Sequence, residues 1–297
     1  RRSVEHLLHE VAQMGTGGPA PVEDGDDPDR DDASGKRGDE PGFDKNNVAV
    51  YGLGLNGGGD SSGGPSFTIA MVTHEAPGST FWDRVRNGAN AAALAEHELG
   101  AGRGHDDMIY ATIATGIGGA LIINGKLYRG MHGMAGEIGH MFISDSTGYP
   151  CSCGVTGCVQ SISSGVHMAR YVTDRIKEGV DSRILEHAGT MSNIDMMAVG
   201  KALNTGDSLA LEVVNRGAEY LGRMFHSLNQ IFDINVFVYG GGVTKLGKRF
   251  IDRIVAAYRH YSLMDQKYPA QFIPAELGDN AGMIGAALLV PNDPFRD

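Results

Sequence analysis

One histidine and three cysteines stand close together near the middle of the chain: His140, Cys151, Cys153 and Cys158, the cysteines all within the stretch CSCGVTGC. Three thiolates and an imidazole make a complete tetrahedral donor set for zinc. Such a closed set is structural rather than catalytic, because no position is left for water. A disulfide scaffold spreads an even number of cysteines along a chain, whereas a tight local group suits a metal in a reducing compartment. The alternative for the same residues is three buried, reduced thiols. Glu137 precedes His140 by three residues in GEIGHM. The pair is within reach of one small polar ligand, or Glu137 is a solvated turn acid.

Two glycine-rich turns could serve a phosphate. Thr115-Gly116-Ile117-Gly118-Gly119 lies between two apolar runs, where a curled hairpin can aim its N–H groups at an anion. A tight hairpin explains the same glycines. Gly240, Gly241 and Gly242, in YGGGV, end an apolar run and lead into a helical pattern. That is a good floor for an adenosine ring or a phosphate, and equally a simple turn.

The elements that must position these residues follow from hydrophobic period and turn chemistry. Residues 89–99 predict a helix capped by Asn87. Residues 107–130 predict two strands around the 115–119 loop, then a turn at Asn124-Gly125, the dipeptide that most strongly signals a hairpin. Helices are expected over 162–178, 194–204, 207–230 and 248–261, a buried strand over 234–243, and an apolar closing helix in AGMIGAALLV. Upstream, residues 3–14 have helical spacing, 46–59 read as a buried strand entering a glycine turn, and FTIAMV has strand composition, while STFWDRVR shows no clear period. Strands alternating with helices give an α/β fold.

Bulk properties exclude other classes. The 297 residues suffice for two lobes, and 41% of them are hydrophobic, enough for a sizeable core. The net charge is −11. Residues 21–46 hold ten acids and four bases, a net of −6, so over half of that charge falls in one apolar-poor stretch that reads as a solvated linker. An acidic chain is a poor nucleic-acid surface, and one helix followed by an acidic linker is not a helix-turn-helix. The apolar runs are too short to cross a membrane and no signal peptide opens the chain, so a soluble, cytoplasmic protein is expected.

Taken together, IATGIGGALIINGKLYRGMHGMAGEIGH, CSCGVTGC, VYGGGV and LGDNAGMIGAALL occur in an order that resembles the ROK family (repressor, open reading frame, kinase), its glucokinase-like members most closely. The resemblance runs from about Asn87 to Val290. It implies the two-lobed, actin-like ATPase fold shared with hexokinases. It also implies a sugar kinase that transfers the γ-phosphate of ATP, with Mg²⁺, to a hexose such as glucose or to an N-acetylhexosamine. By this resemblance Thr115, Gly116 and Gly118 meet the phosphates, and Gly240, Gly241 and Gly242 border the adenosine. Asn87, Glu137 and His140 hold sugar hydroxyls, and a structural Zn²⁺ on His140, Cys151, Cys153 and Cys158 braces Glu137 and His140 from behind. A homodimer or homotetramer is expected, with residues 89–297 as the large lobe. Residues 1–88 are expected to form a partial small lobe, incomplete at its N-terminus, with a flexible acidic segment over 15–46.

Three departures from the family pattern all concern catalysis. The family has Asn-Asp where this chain has Asn87-Gly88, and that aspartate is the expected base. Gln160 stands where a sugar-binding glutamate follows the zinc loop, keeping an acceptor oxygen but losing the charge. No Asp-x-Gly-Gly-Thr turn for phosphate and Mg²⁺ is found, and LNGGGDSSGG resembles a later sugar-lobe turn instead. Asp83 or Asp60 could stand in for the missing acids; Asp83, expected on the strand that leads towards residue 88, would need a rearranged loop. A non-catalytic sugar sensor of the same family is the second reading.

Overall fold

The computed structural model describes residues 81–288 apart from 145, 146 and 263, with side chains from residue 88 onward. The chain divides into two units, Arg1–Pro77 and Gly78–Asp297, and every described residue belongs to the second. The elements expected over 3–14, 46–59 and FTIAMV, the acidic segment and Asp60 lie outside the described residues.

Among the described residues five strands form one sheet: β1 (Met108–Ile113), β2 (Ile117–Ile123), β3 (Lys126–Tyr128), β4 (Val236–Gly240) and β5 (Gln271–Pro274). Their order is β3-β2-β1-β4-β5. β1, β2 and β3 form an antiparallel meander, and β4 and β5 add in parallel on the other side of β1. The β2–β3 turn is the expected one: Asn124 and Gly125 both adopt positive φ, 53° and 70°, as a two-residue hairpin with the right twist requires.

β1, β2 and the first three residues of β4 are buried on both faces, so they read as nearly continuous apolar runs, whereas β3 and β5 at the sheet edges are not. Alternation sends Met108 and Tyr110 of β1 to one side, with Ala120, Ile122, Val236 and Val238. It sends Ile109, Ala111 and Ile113 to the other, with Ile117, Leu121 and Phe237.

The first side is covered by α1 (Phe81–Leu99) and by α8 (Ala281–Leu288). Ala89, Ala92, Ala93 and Glu96 are buried at helical spacing along α1. The two helices cross closely because Gly285 has no Cβ where the Ala91 carbonyl sits.

The helix start corrects an expectation. Asn87 is not a cap but lies inside α1, which extends upstream to Phe81 and takes in Asp83, expected on a strand. The alanine run nucleates the helix, and each further residue then adds a hydrogen bond without a new nucleation cost. FWDRVRN holds neither proline nor glycine to stop it.

The second side carries the larger core. Its helices are α2 (Gln160–Ser163), α3 (Gly165–Lys177), α4 (Ile184–Ala188), α5 (Met196–Asn204), α6 (Ser208–Phe232) and α7 (Lys248–Tyr261). Phe225, Phe237, Tyr258 and Phe272 tie α6, α7 and the sheet together, with ring centroids 5.0 to 5.8 Å apart. Edge-on and offset pairs of this kind each add about 0.5–1.5 kcal/mol beyond burial. Asp207 caps α6 by accepting the Ala210 N–H at 2.8 Å.

The helix expected over 162–178 is broken at Ser164, which is extended (φ −75°, ψ 156°). The break lets Gly165 N–H reach the Ala114 carbonyl at 2.8 Å. The start of α3 thereby pins the tip of the β1–β2 hairpin.

Candidate functional site

Two polar centres lie on this frame. The first is built at the start of β2. Residues 138–140 form a single 3₁₀ turn that lies against β2 on the larger-core side. The approach is close because the glycines permit it. Gly136 has φ +90°, and a Cβ there would meet the Gly119 carbonyl at 2.5 Å; Cβ atoms on Gly119 or Gly139 would run into Ile138 and the Ile117 carbonyl. Ile138 anchors the turn in the core, leaving Glu137 and His140 half-buried beside each other. Burial holds the His140 imidazole below its ordinary pKa, with the Glu137 carboxylate pulling the other way.

The cysteine loop closes over the same turn. The donor atoms of His140, Cys151, Cys153 and Cys158 all lie within 4.8 Å of one another. Cys151 Sγ is 3.5 Å from His140 Nδ1, and Cys153 Sγ is 3.5 Å from Cys158 Sγ. A tetrahedral zinc–thiolate site with bonds of about 2.3 Å has edges of roughly 3.8 Å, so the four donors fit a zinc ion. Crowding splits the thiols. Cys158 is pushed up to about 12 by burial and by its neighbouring sulfurs. Cys153 is lowered: burial is its largest single influence and acts upward, but the Val155 N–H and the Cys158 and Cys151 thiols together outweigh it.

Gln160 is almost fully buried beside this cluster. Its Oε1 accepts the Ile117 N–H at 3.0 Å and its Nε2 points at Cys151 Sγ, 3.8 Å away. Both ends of the carboxamide are thus engaged within the protein, tying the cluster to the first residue of β2. A sugar hydroxyl would have to compete with the Ile117 N–H for it.

The second centre is a cavity of about 810 Å³ where β1, β4 and β5 end. Gly240, Gly241 and Gly242 line it. Gly241 has φ +96°, and a Cβ there would strike the Ile113 backbone at 2.5 Å, so only glycine fits. A Cβ on Gly242 would meet nothing within 4 Å among the described residues, so this glycine opens onto the cavity.

The remaining walls were not picked out from the sequence. They include Tyr110 and Thr112 of β1, Thr244 and Lys245 after β4, and Ala275, Gly278 and Asp279 between β5 and α8. Strand alternation could have found the first pair, since residues two apart share a face. Burial, and next the Glu96 carboxylate, push the Tyr110 phenol up to about 12, so it enters the cavity as a neutral hydroxyl.

Other expected residues line neither centre directly: Thr115, Gly116 and Gly118 are not among the cavity's described lining residues, and Asn87 and Gly88 are not either. Only residues 114–116 form the hairpin loop; Thr115 is exposed there, and Gly118 and Gly119 belong to β2 itself, paired with Thr112 and Ala111. Asn87 and Gly88 ride on α1, on the opposite face of the sheet from the 138–140 turn. A Cβ built on Gly88 would meet no described atom within 4 Å. Among the described residues, no helix is long and apolar enough to cross a membrane.

This geometry agrees with comparisons to known proteins. A family model described as ROK family matches residues 83–293. The glucokinase of Halalkalibacterium halodurans is 37% identical over 206 residues, covering 69% of this chain and 62% of that protein. An N-acetylmannosamine kinase of Yersinia pestis is 32% identical over 202 residues, covering 68% of this chain and 62% of that protein. The crystal structure of a ROK family glucokinase from Streptomyces griseus, in complex with glucose and AMPPNP, superposes with a TM-score of 0.62 at 36% identity. That superposition covers 69% of this chain and 66% of the other. The chain therefore spans just under two thirds of the length of each of these relatives. The family match takes in most of the chain, and the chain belongs to the ROK family, with the α/β fold of its actin-like ATPase sugar kinases.

Proposed function

We propose that this protein is a ROK-type sugar kinase whose turnover is impaired by the loss of its base. It takes a hexose such as glucose, or an N-acetylhexosamine, together with ATP and Mg²⁺. The observation that carries the reading is the glycine-floored cavity of about 810 Å³, large enough for a nucleotide, in a chain of this family. In this reading residues 89–297 work as the large lobe, acting in the cytoplasm as a homodimer or homotetramer, and residues 1–88 contribute to the small lobe.

The residues divide the labour as follows. Gly240, Gly241 and Gly242 admit the adenosine, their missing side chains letting the ring lie against the backbone. The Thr115 and Gly116 amides at the hairpin tip face the phosphates, and Gly118 keeps the strand behind them thin. Glu137 and His140 accept and donate hydrogen bonds to sugar hydroxyls, and Asn87, carried by the helix on the other sheet face, meets the same sugar only where that sugar extends past the edge of the sheet. Gln160 holds the start of β2 from behind or exchanges its backbone partner for a hydroxyl. His140, Cys151, Cys153 and Cys158 hold Zn²⁺, which supplies rigidity to the 137–140 turn; the three thiols must lose protons to bind it.

Phosphoryl transfer depends mostly on positioning and charge neutralisation, with one carboxylate taking the proton of the attacking hydroxyl. Gly88 has no group to take it. Loss of such a base costs about 10²–10⁴ in rate.

The test is a coupled ATPase and sugar-phosphorylation assay over hexoses and N-acetylhexosamines, with calorimetry on the same sample. Slow phosphorylation with measurable sugar binding is the expected result. Rapid turnover would show that another carboxylate replaces residue 88. Gly88 favours one further reading, a non-catalytic sugar sensor, which predicts binding with no phosphorylation at all. A chain that binds neither sugar nor nucleotide refutes both.

A further inference from the structure

The residues that line the cavity do not include the side chain that fixes its outer wall. Glu96 lies in the last turn of α1 and is completely buried. Among the described residues its three hydrogen-bond partners are all main-chain N–H groups. Oε2 accepts from Ala101 at 2.9 Å and from Glu276 at 3.0 Å, and Oε1 accepts from Leu277 at 2.8 Å. The last two donors are 180 and 181 residues away in sequence.

The chain makes room for this carboxylate. A Cβ on Gly100 would overlap Glu96 Oε2, and one on Gly102 would press on the α1 backbone at His97. The turn at 100–102 also returns two N–H groups to the Glu96 carbonyl, from Gly100 at 3.0 Å and Gly102 at 2.8 Å. Side chain and main chain of one residue thus organise the end of α1.

The distal donors matter for the cavity. Ala275 N–H continues the β4–β5 pairing by bonding the Tyr239 carbonyl at 2.8 Å. Glu276 and Leu277 then leave the sheet, and Gly278 and Asp279 begin the 3₁₀ turn that leads into α8. Ala275, Gly278 and Asp279 line the cavity beside the glycine floor. Floor and wall already touch: a Cβ on Gly240 would come within 3.3 Å of Ala275 Cβ and 3.1 Å of the Tyr110 hydroxyl. A shift of a few tenths of an ångström in the 275–279 wall therefore changes the width available to a ligand.

We infer that Glu96 is a positioning residue for nucleotide binding, clamping the 276–277 backbone so that the wall stands at the right distance from Gly240–Gly242. This rests on the nucleotide reading of the cavity given above. Glutamine at 96 puts an NH₂ group against at least one of the three N–H donors, whichever way its amide is turned. Aspartate keeps both acceptor oxygens but is one methylene shorter.

The experiment is calorimetric titration of AMPPNP and of glucose into the full chain and its variants. Glu96→Gln is expected to weaken AMPPNP about tenfold, the effect of losing one buried hydrogen bond, while glucose affinity stays within about twofold. Glu96→Asp is expected to recover part of that loss, and supplies the measurement should Glu96→Gln not fold. Asp207→Asn is the control: Asp207 is also a buried carboxylate that accepts backbone N–H groups, but it lies away from the cavity. It should lower the melting temperature and leave the AMPPNP affinity unchanged. Equal AMPPNP affinity in the wild type and Glu96→Gln overturns the inference alone, as does a parallel loss of glucose and AMPPNP binding, which would mark a general loosening. A wild-type chain that binds no AMPPNP overturns the nucleotide reading and this inference with it.

Discussion

The cysteine–histidine cluster and the glycine-floored cavity are built by opposite means. In the cluster, four side chains of distinctive type come from one short segment, 140–158, and meet within 4.8 Å. In the cavity the wall combines six glycines with ordinary side chains drawn from α1, β1, β4, β5, α7 and α8. The cluster's chemistry is carried by its atoms, whereas the cavity's is carried by shape and by the direction of amides. Substituting a ligand in the cluster therefore removes a bond. A substitution around the cavity changes its width or floor, and the outcome depends on whether the new Cβ meets backbone or open space.

The largest expected effect belongs to neither region, and so tests whether both are intact. Gly88→Asp introduces a carboxylate at a position where a Cβ has open space among the described residues. Turnover with an accepted sugar should rise by about 10²–10⁴, with zinc content and nucleotide affinity unaltered. An unchanged rate would locate the defect in the phosphate turn rather than in the base.

Next comes the cluster itself. Metal analysis should give about one zinc per chain, and Cys153→Ser should at least halve it and lower Tm by about 10 °C. A chain that is free of metal and equally stable would reduce the cluster to three reduced thiols, two of them buried.

On the cavity side, two adjacent glycines should separate stability from binding. Gly242→Leu projects into open space and should weaken AMPPNP about tenfold with little change in Tm. Gly241→Ala, at φ +96° and against the Ile113 backbone, should instead destabilise the fold by about 1–3 kcal/mol. If both variants lose affinity and stability alike, the distinction between floor and opening fails.

The smallest effect is remote from both centres. Asp207→Asn should cost about 1 kcal/mol at neutral pH through its helix cap. Burial acts upward on the Asp207 carboxyl, but the Ala210 and Arg183 N–H groups and the Ser182 hydroxyl outweigh it and hold its pKa below the ordinary value. A folded pKa below the unfolded value of about 4 gives stability that is present above that pH and is lost as pH falls through the folded value. The gap between wild type and variant should therefore close in acid, as urea melts between pH 7 and pH 3 would record.

Much of this was legible residue by residue. The CSCGVTGC spacing announced the cluster because thiols at such intervals have few other uses, and Asn124-Gly125 announced its hairpin because few dipeptides accept positive φ twice. The helix over 207–230 was readable from its period and its aspartate cap, and runs Ser208–Phe232. The start of α1 was not, because helix propagation from an alanine run overrides a plausible cap at Asn87. The loop around Gly116 was drawn too long, since glycine in a strand that another turn approaches looks like glycine in a bend. Gln160 was read as a ligand contact from its position after the cysteines; its engagement by the Ile117 N–H, 43 residues away, has no local signal.

By itself the sequence determined the α/β class, the four-donor cluster and the family, because each rests on residue types at short, fixed spacing. It also displayed the absence of an acid at residue 88, which is a fact of composition and needs no fold. Only the tertiary structure decided which walls face the glycine floor and which buried carboxylate holds one of them in place. Glu96 and the 276–277 backbone are neighbours because α1 and the β5–α8 connection are laid against the same side of one sheet. A contact made by main-chain amides carries no side-chain type for a sequence to record.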